Sequence, residues 1–116
     1  MGQPVAHFEI MGSDPAKLQR FYAEVFGWNV GAPAAEMGNY SMVDGASSGL
    51  AGGIGQDQGG APRVTLYIQV PNLQAALDLV VAHGGRVAMP PTEIPGGPSI
   101  AQFTDPGGNL TGLLQG

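Results

Sequence analysis

The sequence has 116 residues, 43% hydrophobic and 11% charged, which predicts one globular domain and excludes both a two-domain enzyme and a chain disordered by charge repulsion. A formal net charge of −5 with only four Lys and Arg residues argues against nucleic acid as a partner, and weakly against an anionic membrane surface. The absence of Cys excludes disulfides, thiolate metal sites and a catalytic thiol.

Nothing at the start of the sequence is typical of a targeting segment. The residues MGQPVAHFEI contain no basic stretch followed by an apolar one, and no later run approaches the roughly 20 apolar residues of a membrane span. We therefore expect a cytoplasmic protein.

The first half of the chain predicts one strand, one helix and three shorter strands. Val5–Met11 is typical of a strand, and Ser13-Asp14-Pro15 is typical of a helix cap followed by proline in the first turn. The predicted helix runs over 15–26 and ends at Gly27. Short strands are predicted over 28–30, 40–43 and 49–55, followed by a polar, glycine-rich linker over 56–62.

The second half repeats this order. Arg63–Val70 alternates between apolar residues and the set Thr65, Tyr67 and Gln69, which predicts a strand with one polar face. Asn72 can cap a helix that ends at His83-Gly84-Gly85 and has apolar residues at Leu73, Ala76, Leu77, Val80 and Val81. Strands are predicted at about 86–89, 99–104 and 110–115.

A constant separation of 58 residues relates the two halves. It connects His7 with Thr65, Asp14 with Asn72, Phe21 with Leu79, and Gly27 with Gly85. We therefore predict an α+β fold of two tandem βαβββ modules, at about 4–55 and 63–115, which pack around a shared core within one domain over 1–116. Phe21 and Leu79 are expected to be equivalent helix residues buried against their sheets.

Several motifs carry a family resemblance. The opening HFEIMGSDPAKLQRFYAEVFGW, the later IQVPNLQAALDLVVAHGGRV and MPPTEIPGGPS, and the closing FTDPGGNLTGLLQ resemble the vicinal oxygen chelate superfamily of glyoxalases, bleomycin resistance proteins and extradiol dioxygenases, in particular its small glyoxalase-like branch. The resemblance covers essentially the whole chain. It implies a curved, cup-like mixed sheet with the helices on the outside, but it does not fix an activity.

The resemblance also implies where a divalent metal would be held. Metal-bearing members take one ligand from the first strand and one from the last strand of each module, which are His7, Thr65, Gly52 and Gly112 in this sequence. Only His7 is a good ligand, so a metal site is not expected. Glu at positions 52 and 112 with His at 65 would restore the family's ligand set.

His7 and Glu9 remain open to three interpretations. Because they lie two residues apart on a strand, both can point into the cup and hold a metal weakly with help from substrate or Gln69. They can instead hydrogen-bond each other or the cup wall, as buried polar groups require. Glu9 can also be a general base whose charged form is disfavoured by burial.

Other prominent residues have structural interpretations. We expect His83 to be a surface cap, Trp28 to anchor the core or an interface unless it stacks on a flat ligand, and residues 105–109 to form a turn. Tyr67 is equally compatible with ligand contact and with packing. The glycines over 52–55 lack the strand-to-helix context of a phosphate loop.

Two functions follow from these observations. The first is a metal-free module that binds a small, cationic or aromatic molecule in a cup or in a groove at a homodimer interface, with no cofactor. Its candidate ligand-binding residues are His7, Glu9, Met11, Thr65, Tyr67, Gln69, Gln102 and Leu114. The second is a lyase, isomerase or dioxygenase of the glyoxalase type that uses Zn, Ni, Mn or Fe, held by His7 and Glu9.

Overall fold

The structure is a computed structural model that describes residues 2–57 and 59–116. The chain forms two compact units, an N-terminal unit over His7–Val64 and a C-terminal unit over Thr65–Gly116 that also includes the residues up to Ala6. Met1 of the opening segment and Gln58 of the predicted linker lie outside the described residues. Helices and mixed strands occur in both units, which confirms the α+β class.

The N-terminal unit follows the predicted order through its first helix. Its elements are β1 (Val5–Met11), α1 (Pro15–Phe26), a 3₁₀ helix (Ala35–Met37), β2 (Ser41–Val43), α2 (Gly45–Ser48) and β3 (Gly52–Gly55). The Asp14 carboxylate accepts the backbone N–H of Lys17, and Gly27 ends α1 with a φ of 71°, so both predicted caps are confirmed. Strand β3 is parallel to β1 and antiparallel to β2.

Two of the predicted strands in this unit are wrong in extent. Residues 28–30 contribute only an isolated bridge between Val30 and Val43, and the strand predicted over 49–55 begins at Gly52. The backbone of Asn29 explains the first difference, since its N–H donates to Ser47 Oγ and its carbonyl accepts from Asp44. Because both backbone groups of Asn29 bond to residues of α2 or its N-cap, they cannot take part in a strand ladder.

The remaining elements lie in the C-terminal unit and are β4 (Arg63–Val70), α3 (Leu73–Ala82), β5 (Arg86–Glu93), β6 (Ser99–Thr104) and β7 (Leu110–Gln115). Strand β4 begins with two residues of the N-terminal unit, as β1 begins with two residues of the C-terminal unit. Strand β4 is parallel to β7, while β6 is antiparallel to both β7 and β5. Strand β5 is longer than predicted, and its register shifts on both sides of Met89 carry it past Pro90 and Pro91.

The helix faces differ from the prediction, although Asp14 and Asn72 cap α1 and α3 at the predicted separation of 58 residues. Leu77 of α3 is 1% exposed and Gln19 of α1 is 9% exposed, and these two residues are 58 apart. Phe21 and Leu79, however, are 52% and 63% exposed, so their predicted burial is wrong. Two residues along an α-helix correspond to a rotation of about 200°, which places them on the side opposite the buried one. The core of the C-terminal unit consists of Val70, Leu73, Leu77, Ala101 and Leu113.

Among the residues that the structure describes, no helix is both long and apolar enough to cross a bilayer.

Candidate functional site

One face of the N-terminal unit gathers the predicted polar residues of β1. His7, Glu9 and Met11 alternate along the strand and therefore share a face. In the register with β3, Glu9 lies opposite Gly53 and Met11 opposite Gly55. Because glycine has no side chain, this register leaves space above Gly53 and Gly55, beside the side chains of β1.

Tyr40, in the loop before β2, fills that room and connects the polar residues. Its hydroxyl lies 2.8 Å from His7 Nε2 and donates to Glu9 Oε2 at 3.1 Å. Since the hydroxyl proton goes to Glu9, His7 Nε2 carries the proton of the other bond and donates to Tyr40.

Arg63 extends this set on the far side of Glu9. Its Nη1 lies 3.1 Å from Glu9 Oε1, and its Nη2 lies 3.5 Å from Asp57 Oδ1. We call His7, Tyr40, Glu9, Arg63 and Asp57 the polar chain. The Glu9 side chain, in the middle of the polar chain, is 12% exposed, whereas the Asp57 side chain, at its end, is 36% exposed. The polar chain is therefore more open to solvent at Asp57.

Burial sets the protonation state of His7. Removal from water lowers the pKa of His7 below its ordinary value near 6.5, and the negative charge of Glu9 offsets this only in part. His7 is therefore neutral at neutral pH, in agreement with its role as an Nε2 donor toward Tyr40.

Lowering the pH is expected to reduce the free energy of unfolding through His7. The unfolded chain takes up a proton near pH 6.5, whereas the folded protein keeps His7 neutral to a lower pH. Stabilisation is complete above the unfolded pKa and falls as the pH drops from there toward the folded pKa. Urea unfolding between about pH 7.5 and about pH 5 should show a shallower pH slope for His7→Gln than for the wild type. Equal slopes in the wild type and His7→Gln would contradict this assignment.

The C-terminal unit carries its own polar face. Thr65, Tyr67 and Gln69 share one side of β4, and in the register of the ladder they are joined there by Gln102 of β6 and Leu114 of β7. Thr65 and Tyr67 are buried, and Gln102 Nε2 donates to the Tyr67 hydroxyl at 3.0 Å. The predicted ligand-binding residues of this unit thus lie together on one face.

The positions that the family resemblance assigns to a metal do not fit one. In the C-terminal unit Gly112 lies opposite Tyr67, and a Cβ there would overlap the Tyr67 ring. In the N-terminal unit Gly53, not Gly52, lies opposite Glu9, and a Cβ on Gly53 would overlap Tyr40. The alignment of Gly52 with Gly112 is therefore wrong by one residue. Gly52 pairs with Phe8, whose ring occupies the space beside it.

The remaining donor set agrees with this result. Within the described parts of the chain, no three His, Cys, Asp or Glu side chains come close enough to hold a metal ion. His7 and Glu9 are the candidate ligands, and both are engaged with Tyr40 or Arg63. The residues present do not fit a divalent metal with three or four protein donors.

The other predicted roles are mostly structural. His83 is the exposed C-cap residue of α3. Trp28 stacks on Tyr22 at 5.1 Å between ring centroids. Asp105 accepts the backbone N–H groups of Gly107 and Asn109 and the Asn109 side-chain amide, so residues 105–109 form the predicted turn. These hydrogen bonds hold the pKa of Asp105 below its ordinary value.

Sequence reasoning missed Tyr40 and Arg63. Arg63 had a usable signal, since it precedes Thr65 by two residues on the same strand and must share its face. Tyr40 had none, because it lies outside the regular elements and reaches His7 across 33 residues of sequence.

Comparison with known proteins shows which sequences this chain is similar to. The sequence matches the family model of the Glyoxalase/Bleomycin resistance protein/Dioxygenase superfamily over residues 5–113. It is 30% identical over 113 residues to proteins of Mycobacterium bovis and Mycobacterium tuberculosis named "Putative glyoxylase CFP32". That alignment covers 92% of this chain and 43% of each relative, so the chain spans less than half of their length.

Solved structures show the same fold at low identity. A hypothetical protein from Bacillus halodurans superposes with a TM-score of 0.75 at 11% identity, covering 100% of this chain and 96% of that one. Methylmalonyl-CoA epimerase from Mycobacterium tuberculosis gives a TM-score of 0.69 at 16% identity, covering 96% and 86%. The Streptomyces coelicolor epimerase in complex with 2-nitronate-propionyl-CoA gives 0.68 at 19%, covering 97% and 94%. At these identities the likeness concerns the fold alone.

Proposed function

This chain belongs to the Glyoxalase/Bleomycin resistance protein/Dioxygenase superfamily, and on that premise we propose that it binds a small molecule at the polar face of its N-terminal unit without a catalytic metal. The polar chain carries this proposal. His7 Nε2 and both Glu9 oxygens already interact with Tyr40 and Arg63. A metal ion would have to displace those partners and leave a half-buried guanidinium without its closest carboxylate, which is costly.

The charge of the polar chain favours a ligand with a cationic group. Two carboxylates, one guanidinium and a neutral imidazole leave an excess of negative charge, in a protein whose net charge is −5. Met42 is 55% exposed and lies opposite Gly53 on the other side of β3 from Glu9, so the two residues share a face. A flexible apolar side chain beside carboxylates and a tyrosine ring suits an organic cation with an apolar or aromatic body.

We extend the proposal to the polar face of the C-terminal unit. Within that unit, considered by itself, we propose a separate set of ligand contacts, because a hydroxyl held by a neighbouring amide is preorganised to orient a ligand; the residues are Thr65, Tyr67, Gln69, Gln102 and Leu114. We also propose that the protein acts in the cytoplasm as a homodimer.

One set of thermal melts tests the proposal, with elemental analysis of protein purified without chelators. We expect well under one metal ion per chain, and no rise in melting temperature with Zn²⁺, Mn²⁺, Ni²⁺ or Fe²⁺. Benzyltrimethylammonium should raise the melting temperature, as any ligand specific for the folded state does, and phenylacetate should not. Glu9→Gln should abolish the rise, whereas Glu93→Gln, at the exposed end of β5, should keep it.

Two results would overturn the proposal in different ways. Stoichiometric metal that is lost in His7→Ala or Glu9→Ala would contradict the metal-free site and favour the metal-dependent lyase, isomerase or dioxygenase instead. Stabilisation by phenylacetate that depends on Arg63 would keep a metal-free site but reverse the charge of its ligand. The phenylacetate measurement is informative because a fold neighbour was solved with methylmalonyl-CoA, which is an anion.

A further inference from the structure

A buried glutamine of α1 connects a loop to the sheet of the N-terminal unit. Gln19 is 9% exposed, and its Nε2 donates at 2.8 Å both to Asn39 O and to Ile54 O. Ile54 belongs to β3 and is fully buried, whereas Asn39 is exposed and lies in the loop before β2. Both protons of the side-chain amide are therefore used, one on a buried strand and one on a surface loop.

The loop that Gln19 reaches is exposed over consecutive residues. Residues 35–39 all lie at the surface, so burial does little to prevent local opening of this segment. Asn39 has a φ of 57°, a left-handed conformation that few residues other than glycine adopt. The Ala34 N–H donates to Tyr40 O within the loop, whereas the bond from Gln19 connects the loop to α1. That bond is therefore a major constraint on where the loop lies.

The constraint bears on the polar chain, because Asn39 immediately precedes Tyr40. The Tyr40 ring lies over the glycines of β3, and its hydroxyl bonds to His7 and Glu9. Movement of the Asn39 backbone would carry the Tyr40 hydroxyl away from both partners. Gln19 itself touches neither of them in any recorded hydrogen bond, so its effect on them passes through Tyr40.

Helix packing alone does not explain a glutamine at this position. The residue 58 positions later is Leu77 of α3, which is 1% exposed, so leucine can occupy the equivalent buried position of a helix. A buried amide is favourable only where its hydrogen bonds are made, and those of Gln19 go to the loop and to β3. The difference between the two helices thus points to a role in holding the loop.

We propose that Gln19 is a positioning residue of the ligand site, which fixes the Asn39 backbone and thereby the Tyr40 hydroxyl within the polar chain. Where it concerns ligand binding, this inference rests on the proposed function. The anchoring of the loop can be measured without ligand, so the two can fail separately.

Amide hydrogen exchange of the ligand-free protein tests the anchoring. Gln19→Leu, which supplies the residue found at the equivalent position of α3, should speed exchange of the Ala34 amide about threefold to tenfold, the effect of one typical hydrogen bond. Exchange of the Asp44 amide, which is hydrogen-bonded at the start of α2, should be unchanged. Gln74→Leu is the matched control, because it makes the same change at an exposed glutamine of α3.

A double-mutant cycle tests whether Gln19 acts through Tyr40. By isothermal titration calorimetry, Gln19→Leu should weaken binding of benzyltrimethylammonium about threefold to tenfold, and Tyr40→Phe should weaken it as well. In the Tyr40→Phe background, Gln19→Leu should have little further effect, because the hydroxyl that Gln19 positions is already absent. A residue that only stabilises the fold would leave the affinity of the folded protein unchanged.

Three results would overturn the inference. They are wild-type exchange of the Ala34 amide in Gln19→Leu, an equal acceleration of the Ala34 and Asp44 amides, and additive losses of affinity in the double variant. If Gln19→Leu does not fold, Gln19→Met replaces it, since methionine keeps the length of the side chain without its donors. Faster exchange at Ala34 in a protein that binds no benzyltrimethylammonium would support the anchoring and contradict the proposed function.

Discussion

Gly112→Ala is expected to destabilise the protein by about 2 kcal/mol, the cost typical of forcing one extra carbon into a packed region. A Cβ on Gly112 would overlap the Tyr67 ring, which is 4% exposed and held by Gln102. Gly53→Ala should have a similar effect, because its Cβ would overlap Tyr40. Urea unfolding measures both changes.

A matched glycine separates overlap from the general effect of adding a methyl group. Gly31→Ala should be nearly neutral, since its Cβ would meet Met42 O at an ordinary 3.5 Å. Tyr67→Ala should also be destabilising, but the double variant Gly112→Ala/Tyr67→Ala should lose less than the sum of the single changes, because the overlap is then relieved. Additive losses, or a wild-type midpoint for Gly112→Ala, would show that the ring does not occupy this space.

The same overlap changes what a redesigned metal site requires. Glu introduced at positions 52 and 112 with His at 65 is the set suggested by sequence alone. Position 52 faces Phe8, and Glu at 112 must displace Tyr67 before it can bind anything. We therefore expect this triple variant to lose stability and to gain no metal.

Strand faces were predictable where the strand was long. The alternation over Arg63–Val70 fixed which side chains share a face, and the structure places Thr65, Tyr67 and Gln69 together. The short strands between α1 and the linker carry too few residues for a periodic signal. Their boundaries depend on bonds such as that from Asn29 to Ser47, which no local pattern reveals.

The repeat shows the same limit in the helices. A separation of 58 residues correctly pairs α1 with α3, but it cannot say which stripe of each helix faces a sheet. In α1 the apolar residues Phe21 and Val25 are exposed, while the buried position is Gln19, whose amide donates to the carbonyls of Asn39 and Ile54. A buried glutamine that bonds two backbone carbonyls can replace the equivalent leucine of α3, and hydrophobicity alone points to the wrong face.

Leu77→Ala is expected to destabilise the protein by about 3 kcal/mol, in the range measured for leucines truncated in well-packed cores. Leu77 is 1% exposed and belongs to the core cluster with Val70, Leu73, Ala101 and Leu113, so its truncation leaves a cavity that α3 cannot close alone. Leu79→Ala makes the identical chemical change two residues away, on a side chain that is 63% exposed, and should alter stability by less than about 0.5 kcal/mol.

Urea unfolding over a series of protein concentrations compares the two leucines, and a midpoint that does not change with concentration shows that association does not contribute. A large loss for Leu79→Ala together with a small one for Leu77→Ala would mean that α3 is rotated by about half a turn from the described orientation. Because Phe21 occupies the position in α1 that Leu79 occupies in α3, the same rotation of α1 would bury Phe21, which is 52% exposed in this structure.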